Sequence, residues 1–133
     1  MNAVSWLYLV FALALLNWLA GIVTLKSFLS HTTAIISTLD LENYAVLVRR
    51  HMFQALLQAV LLISSMLLGI YVLARNQAEL LQVLALNGII LAAGKLGLPL
   101  EKKARSLPVG DQLLEERYKA IGIAWVKKPF PDF

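Results

Sequence analysis

A few residues in this sequence have chemistry beyond packing. Lys95 is the first. It sits in "NGIILAAGKLGLPLEKK", Asn87 to Lys103, inside a run that is otherwise apolar or small for more than two turns on either side. A lysine at mid-membrane marks an ion path or a proton relay. One near a membrane face snorkels to the headgroups. The two histidines, His31 and His51, are the second case. Two imidazoles at one depth on neighbouring helices have the chemistry to ligate haem axially, or one of them to hold a pigment metal. The third is the adjacent pair Arg49 and Arg50, which suits an anionic lipid head or a simple positive-inside anchor.

Which of these readings applies depends on the elements that carry them. The chain has 133 residues, enough for one domain, and 59% of them are hydrophobic. Soluble domains are roughly 45–50% apolar, and the mean hydropathy here is +0.73. No Lys or Arg precedes Lys26, and seven follow from Lys102 onward. Apolar runs with bases gathered at one end predict an integral membrane protein. The same distribution explains the pI near 9.6 without nucleic acid, since the bases adjoin apolar runs. With no cysteine, disulfides, thiolate catalysis and Cys-ligated zinc or iron–sulfur clusters are excluded.

The expected fold is all-α, with three transmembrane helices and a short amphipathic C-terminal helix. Residues 1–100 form the transmembrane part, with spans at about 3–25, 53–74 and 80–100, each near the 20 or so residues a bilayer core requires. The first run lacks a basic n-region and is too long for a cleaved signal peptide. "STLD", Ser37–Asp40, has the capping-box pattern. After it, Leu41, Ala45, Val48, Met52, Ala55, Ala59, Leu62, Met66, Gly69 and Leu73 recur at heptad spacing. A single long second helix, from about 41 to 74 and extending into the cytoplasm, follows. Its seam is expected to pack chiefly on the third span. The "RNQAE" link makes the second and third spans antiparallel neighbours.

Residues 101–133 form a basic cytoplasmic tail. Asp111 is an N-cap for a short helix at about 112–121, ending at Gly122. Leu114, Tyr118 and Ile121 give it one apolar face, for headgroups or for a partner. Trp125, Phe130 and Phe133 stand beside Lys127, Lys128, Pro129 and Pro131, and the prolines forbid a helix there.

Orientation follows from the charges. The first loop and the tail carry ten bases, and the opposite side carries only Arg75. Positive charges stay in the cytoplasm, so the N-terminus is expected outside and the C-terminus inside a bacterial-type plasma membrane. Lys95 is then five residues, or about 7.5 Å, from the cytoplasmic exit of its span. It is expected to snorkel and join Lys102 and Lys103 in the headgroups. Pairing with a partner's carboxylate or a lipid phosphate is the second reading. A transport role ranks last, because no Asp or Glu lies at mid-membrane to work with it.

No GxGxxG, P-loop, HExxH, GxSxG or paired-carboxylate arrangement is present, so no enzyme, resident metal or cofactor is expected. Asn17, Gln54, Gln58, Ser64, Ser65, Gln82 and Asn87 are expected to hydrogen-bond across helices. Gly88 with Ala92, and Ala93 with Gly97, allow close helix approach. The architecture resembles three-span phage holins in size, outside N-terminus and basic inside tail, but an ordered tail helix with prolines departs from them. The leading expectation is a non-enzymatic accessory subunit of a larger membrane complex. Its partners are anionic lipid headgroups and other membrane subunits, contacted through Arg49, Arg50, Lys95, Lys102, Lys103, Trp125, Phe130 and Phe133. The alternatives are a pore-forming homo-oligomer, and a haem or pigment carrier through His31 or His51.

Overall fold

The computed structural model describes residues 1–133 and is all-helical. The elements are α1 Ala3–His31, α2 Thr38–Ala74, α3 Leu80–Leu96, α4 Leu98–Ala104 and α5 Gln112–Lys127. Three stretches are long and apolar enough to cross a membrane: α1, α2, and α3 with α4.

Three of the helices, α1, α2 and α5, start where a side chain satisfies free backbone donors, whereas α3 opens at Glu79 with no side-chain cap. Asn2 Oδ1 accepts from the Ser5 N–H at 2.8 Å and opens α1. The "STLD" box forms as expected: the Asp40 N–H donates to Ser37 Oγ at 3.2 Å, and the Ser37 N–H donates to Asp40 Oδ2 at 3.1 Å. Asp111 Oδ1 accepts from the Leu113 N–H at 3.0 Å and opens α5.

Several boundaries differ from expectation, each for a local reason. The first helix continues past Leu25 to His31. The third span is not one helix over 80–100 but breaks at Gly97. Pro99 lacks an N–H, and its ring opposes the carbonyl four residues back, so α3 stops and Pro99 falls in the first turn of α4, where proline is tolerated. The tail helix does not end at Gly122 but runs to Lys127. Gly122 has no positive φ and serves packing: a Cβ there would lie 3.5 Å from Tyr44 Oη. The true stop is Lys128, extended at φ −110 and ψ 142, as a residue before proline prefers. Asn76, at φ 53, ends α2. The Gln77 N–H reaches the Val72 carbonyl at 2.9 Å and the Asn76 N–H reaches that of Leu73 at 3.0 Å, a Schellman closure with asparagine in the left-handed position.

The chain divides into two compact units, Met1–Ala20 with Leu57–Gly97, and Gly21–Leu56 with Leu98–Phe133. In the first, Leu7, Val72, Val83 and Leu86 form the core. Val83 seats directly on Gly69, where an added Cβ would lie 2.5 Å from Val83 Cγ1. The Asn17 amide donates to Gln58 Oε1 at 2.8 Å, and Gln82 Nε2 bonds Tyr8 Oη. Asn87 instead bonds the Val83 carbonyl of its own helix at 3.0 Å, and Ser65 is buried without a bonded partner.

The heptad seam holds only in part. Leu41, Val48, Met52 and Gly69 are buried, but Ala55, Ala59 and Met66 are exposed. Beyond Met52 the inward face moves back by one residue, to Gln58, Ser65 and Val72. On this shifted face Gln58 meets Asn17. Of the small pairs on α3, Ala93 and Gly97 are buried. Gly88 and Ala92 face outward, and nothing lies within 4 Å of a Cβ built on Gly88.

Candidate functional site

His51, Glu101, Arg105 and Trp125 belong to the second unit, whose core is built around Tyr44. Its ring is fully buried. Tyr118 of α5 stacks on it at 4.6 Å between centroids, tilted by 42°. Phe28 of α1 approaches to 6.0 Å, and Trp125 meets it edge-on at 6.3 Å. Leu41, Val48, Leu114 and Ile121 complete the core. The tail is therefore not a free arm. Leu114, Tyr118 and Ile121, expected as a face for headgroups or a partner, are buried against the chain's own α2. The apolar stripe was legible, but its nearest acceptor was the lower part of α2, which offers a matching stripe at Leu41, Tyr44 and Val48.

Hydrogen bonds fix this arrangement. Tyr118 Oη donates to the Ala104 carbonyl and accepts from the Leu107 N–H at 2.9 Å. One phenol thereby caps the end of α4 and holds α5 against it. The Ile35 N–H donates to the Pro108 carbonyl at 2.8 Å, and the Gly110 N–H donates back to the Ile35 carbonyl at 3.0 Å, joining the first loop to the tail. Burial raises both phenols above the ordinary value near 10, for Tyr44 with a further push from Tyr118 and for Tyr118 against the Leu107 bond. Asp40 goes the other way, held low by its backbone bonds from Ile36 and Ser37.

His51 lies at the edge of this cluster. Its Nε2 is 2.7 Å from Glu101 Oε1, with the side chain 15% exposed. Its ring meets Trp125 edge-on at 5.3 Å. Nδ1 is enclosed without a bonded partner. Gly21 of α1 makes room for the ring, since a Cβ there would lie 3.6 Å from His51 Cε1. As placed, neither ring nitrogen is open to a metal. His31 is exposed, with Nδ1 2.8 Å from the Ser27 carbonyl of its own helix. The structure does not present the two histidines to a common ligand, and no three metal-ligating side chains come together anywhere.

An open cavity of about 530 Å³ borders this cluster. His51, Glu101, Arg105, Trp125 and Lys128 line one part of it. Met52, Ala55, Leu56 and Leu98 line the rest. The Arg105 guanidinium lies 5.6 Å above the Trp125 ring and takes part in no ion pair, whereas Lys128 holds Asp132.

The other expected contact residues are scattered. Arg49 donates to the Phe133 main-chain oxygen at 2.5 Å and lies over its ring at 5.5 Å. Arg50, Lys95, Lys102, Lys103 and Phe130 are exposed. Lys95 occupies the last turn of α3, where a cation complements the helix C-terminus. Tyr44, Glu101 and Arg105 were missed in the sequence. Two signals pointed to them: Glu101 and Arg105 are four apart in sequence, and Tyr44 falls in the Leu41–Val48 stripe. No protein-family model, no curated protein and no solved structure matches this chain.

Proposed function

We propose that this chain is a three-span integral membrane protein acting as a non-enzymatic accessory subunit of a larger membrane complex. The observation that carries the proposal is the outward surface of its apolar helices. Only 17% of the most apolar window of α1, 17% of that of α2 and 28% of that of the third stretch is buried. Leu13, Leu16, Val60, Ile63, Leu67, Ile70, Leu84 and Leu91 all point away from the chain's own core. In water such a surface is a liability. In a bilayer it is the required exterior.

Two further features support the subunit reading. Leu81, Ala85, Gly88 and Ala92 share one exposed face of α3, and small residues there permit a second helix to approach closely. The tail uses its large apolar side chains to complete its own core, so the module is already folded when it meets a neighbour. The ten bases of the first loop and tail orient that side to the cytoplasm of a bacterial-type plasma membrane.

The absence of native cysteine makes the test direct. A single Gly88→Cys, in the otherwise cysteine-free chain, should cross-link to a non-identical chain in native membranes. Cross-linking only to copies of itself would favour the pore-forming alternative. Reporter fusions in the Arg75–Glu79 link and after Phe133 check the orientation: a reporter active only outside the cytoplasm should work at the link and fail at the tail.

A further inference from the structure

We infer that the cavity between His51 and Lys128 is a binding site for one anionic diacyl phospholipid. Its phosphate would be held by Arg105 and its acyl chain laid along Ala55, Leu56 and Leu98. The inference rests on the membrane orientation proposed above and goes beyond it, from a general attraction for lipid headgroups to a built site.

The cavity is divided in the way such a ligand requires. Its apolar floor, Ala55 and Leu56 on α2 with Leu98 at the start of α4, adjoins the stretch of α2 from Phe53 to Ala74 that carries no charged residue. Phe53 itself points outward, 54% exposed. A hydrocarbon chain laid there lies along Met52, Ala55, Leu56 and Leu98 and meets no charge of α2 beyond Phe53. The opposite wall is basic and aromatic. Arg105 is packed on Trp125, which fixes the guanidinium while leaving its donors without a carboxylate partner. A planar fork of donors held in this way suits phosphate oxygens better than a mobile lysine does. Trp125, beside the basic residues, matches the headgroup level that tryptophan prefers. The one carboxylate in the wall, Glu101, bonds His51 at 2.7 Å and forms no ion pair with Arg105, so the guanidinium keeps its donors free. Lys128 adds positive charge at the rim but already holds Asp132, which leaves Arg105 as the principal grip.

A free phosphate would use the same guanidinium but not the floor. The open volume of about 530 Å³ also far exceeds one phosphate and accommodates a headgroup with the start of its chains. The proposal therefore commits to the lipid.

The test uses the full chain in bilayers with Trp6→Phe and Trp18→Phe, so that Trp125 is the sole tryptophan. Vesicles contain phosphatidylcholine with a small fraction of either phosphatidylglycerol or phosphatidylcholine brominated near the carbonyl end of the acyl chain. Brominated phosphatidylglycerol should quench Trp125 at about one-fifth the lipid fraction that brominated phosphatidylcholine needs, since one arginine near a lipid surface contributes about 1 kcal/mol. Arg105→Gln should erase that preference. Lys119→Gln, exposed on α5 and outside the cavity, should retain it. If Arg105→Gln disturbs folding, Ala55→Phe serves instead, because it fills the floor without touching a charge and should also reduce quenching.

Equal quenching by the two lipids, or a preference that survives Arg105→Gln, overturns the site. So does loss of the preference on adding excess glycerol phosphate, which would mark a phosphate site and not a lipid site. A companion chain retaining only Trp6 separates the two levels of the proposal. If acyl bromines quench Trp6 while Trp125 shows no selectivity, the spans are in the bilayer and the lipid site alone is wrong. If Trp6 is not quenched, the membrane reading fails and takes the site with it.

Discussion

The two units solve opposite problems with one chain. The unit of residues 1–20 and 57–97 has almost no charge: Arg75, Glu79 and Lys95 are its only ionisable side chains of that kind. Its core is small, built on Leu7, Val72, Val83 and Leu86, and it turns most of its large side chains outward. The unit of residues 21–56 and 98–133 holds every other charged residue, yet it buries Tyr44, Tyr118, Leu41, Val48 and Ile121 in a core of its own. In the proposed membrane-spanning role, the first unit takes the bilayer as its solvent and needs only close helix contacts. The second builds an interior as a soluble domain does, with aromatic rings, caps and a phenol bonded to backbone. A mutation should therefore act differently in each: by volume at a helix contact in the first, by lost burial or lost hydrogen bonds in the second.

The largest expected effect is Tyr44→Ala. Removing a fully buried aromatic ring at the centre of a core costs about 3–5 kcal/mol. The second unit should loosen, and α5 should become cleavable by trypsin at Arg117 and Lys119 in detergent. The first unit should keep its protection. If the spans lose protection equally, the two units are not separable in stability and the contrast between them fails.

Gly69→Leu should come next, and its damage should fall on the first unit. Val83 already occupies the space, and overpacking of this kind costs about 1–3 kcal/mol. Disulfide trapping between cysteines placed at Ser65 and Leu86 should weaken as α2 and α3 separate, while tail protection stays normal. Even Gly69→Ala should show part of the effect, given the 2.5 Å approach.

This contrast also explains what the sequence could reveal. The three long apolar helices were legible because they are encoded in composition: runs of apolar residues interrupted by little else. The "STLD" cap and the Asp111 cap were legible because the signals are local, a side chain three residues from its target or closer. What was not legible is pairing. Gly69 appeared as one more position in a heptad, while Gly88 looked like the contact glycine. Only Val83 facing Gly69 decides between them, and that depends on helix rotation, which no local signal in the sequence encodes. The tail helix was placed correctly at its start and too short at its end, because Gly122 has two physical uses. It serves close packing against Tyr44, not reversal of the chain. In the site, Trp125 was expected for its interfacial character, but Glu101 and Arg105 were read only as charges outside the span. Their importance comes from His51 and Trp125, fifty and twenty residues away.

A third prediction separates the two phenols within the second unit. Tyr118 bonds both the Ala104 carbonyl and the Leu107 N–H, so Tyr118→Phe strands two backbone groups and should cost about 1–3 kcal/mol. Tyr44 Oη is buried without a bonded partner, so Tyr44→Phe should be neutral or stabilising. Both phenols are raised above 10 by burial. Their contribution is complete below the unfolded value near 10 and is lost as pH rises toward the folded values, because the unfolded state releases its protons first. In a Tyr8→Phe, Tyr71→Phe background, the phenolate absorbance should appear late and together with loss of the tail's trypsin protection. Tyr44→Phe should reduce that alkaline sensitivity, and an unchanged alkaline transition would show that burial of Tyr44 does not control it.

The smallest expected effect sharpens the comparison from the side of the first unit. Asn17 and Gln58 make a direct side-chain bond at 2.8 Å. In a water-exposed module such a bond would compete with solvent. Within a bilayer the alternative is an unsatisfied amide, yet measured bonds of this kind average about 0.6 kcal/mol because the separated helices also find partners. Asn17→Leu alone leaves the Gln58 amide in apolar surroundings and should cost more than the paired change Asn17→Leu with Gln58→Leu. The pair should bring stability back close to that of the parent while relaxing the rotation of α2. That relaxation is the informative readout. Without the amide bond, the inward face beyond Met52 is free to return to the apolar repeat, so cysteines at Ala59 and Met66 should gain protection from a thiol reagent as cysteines at Ser65 and Val72 lose it. Unchanged accessibility at all four positions would show that Gly69 and Val83 alone set the register of the spans, and that the polar pair follows that register instead of fixing it.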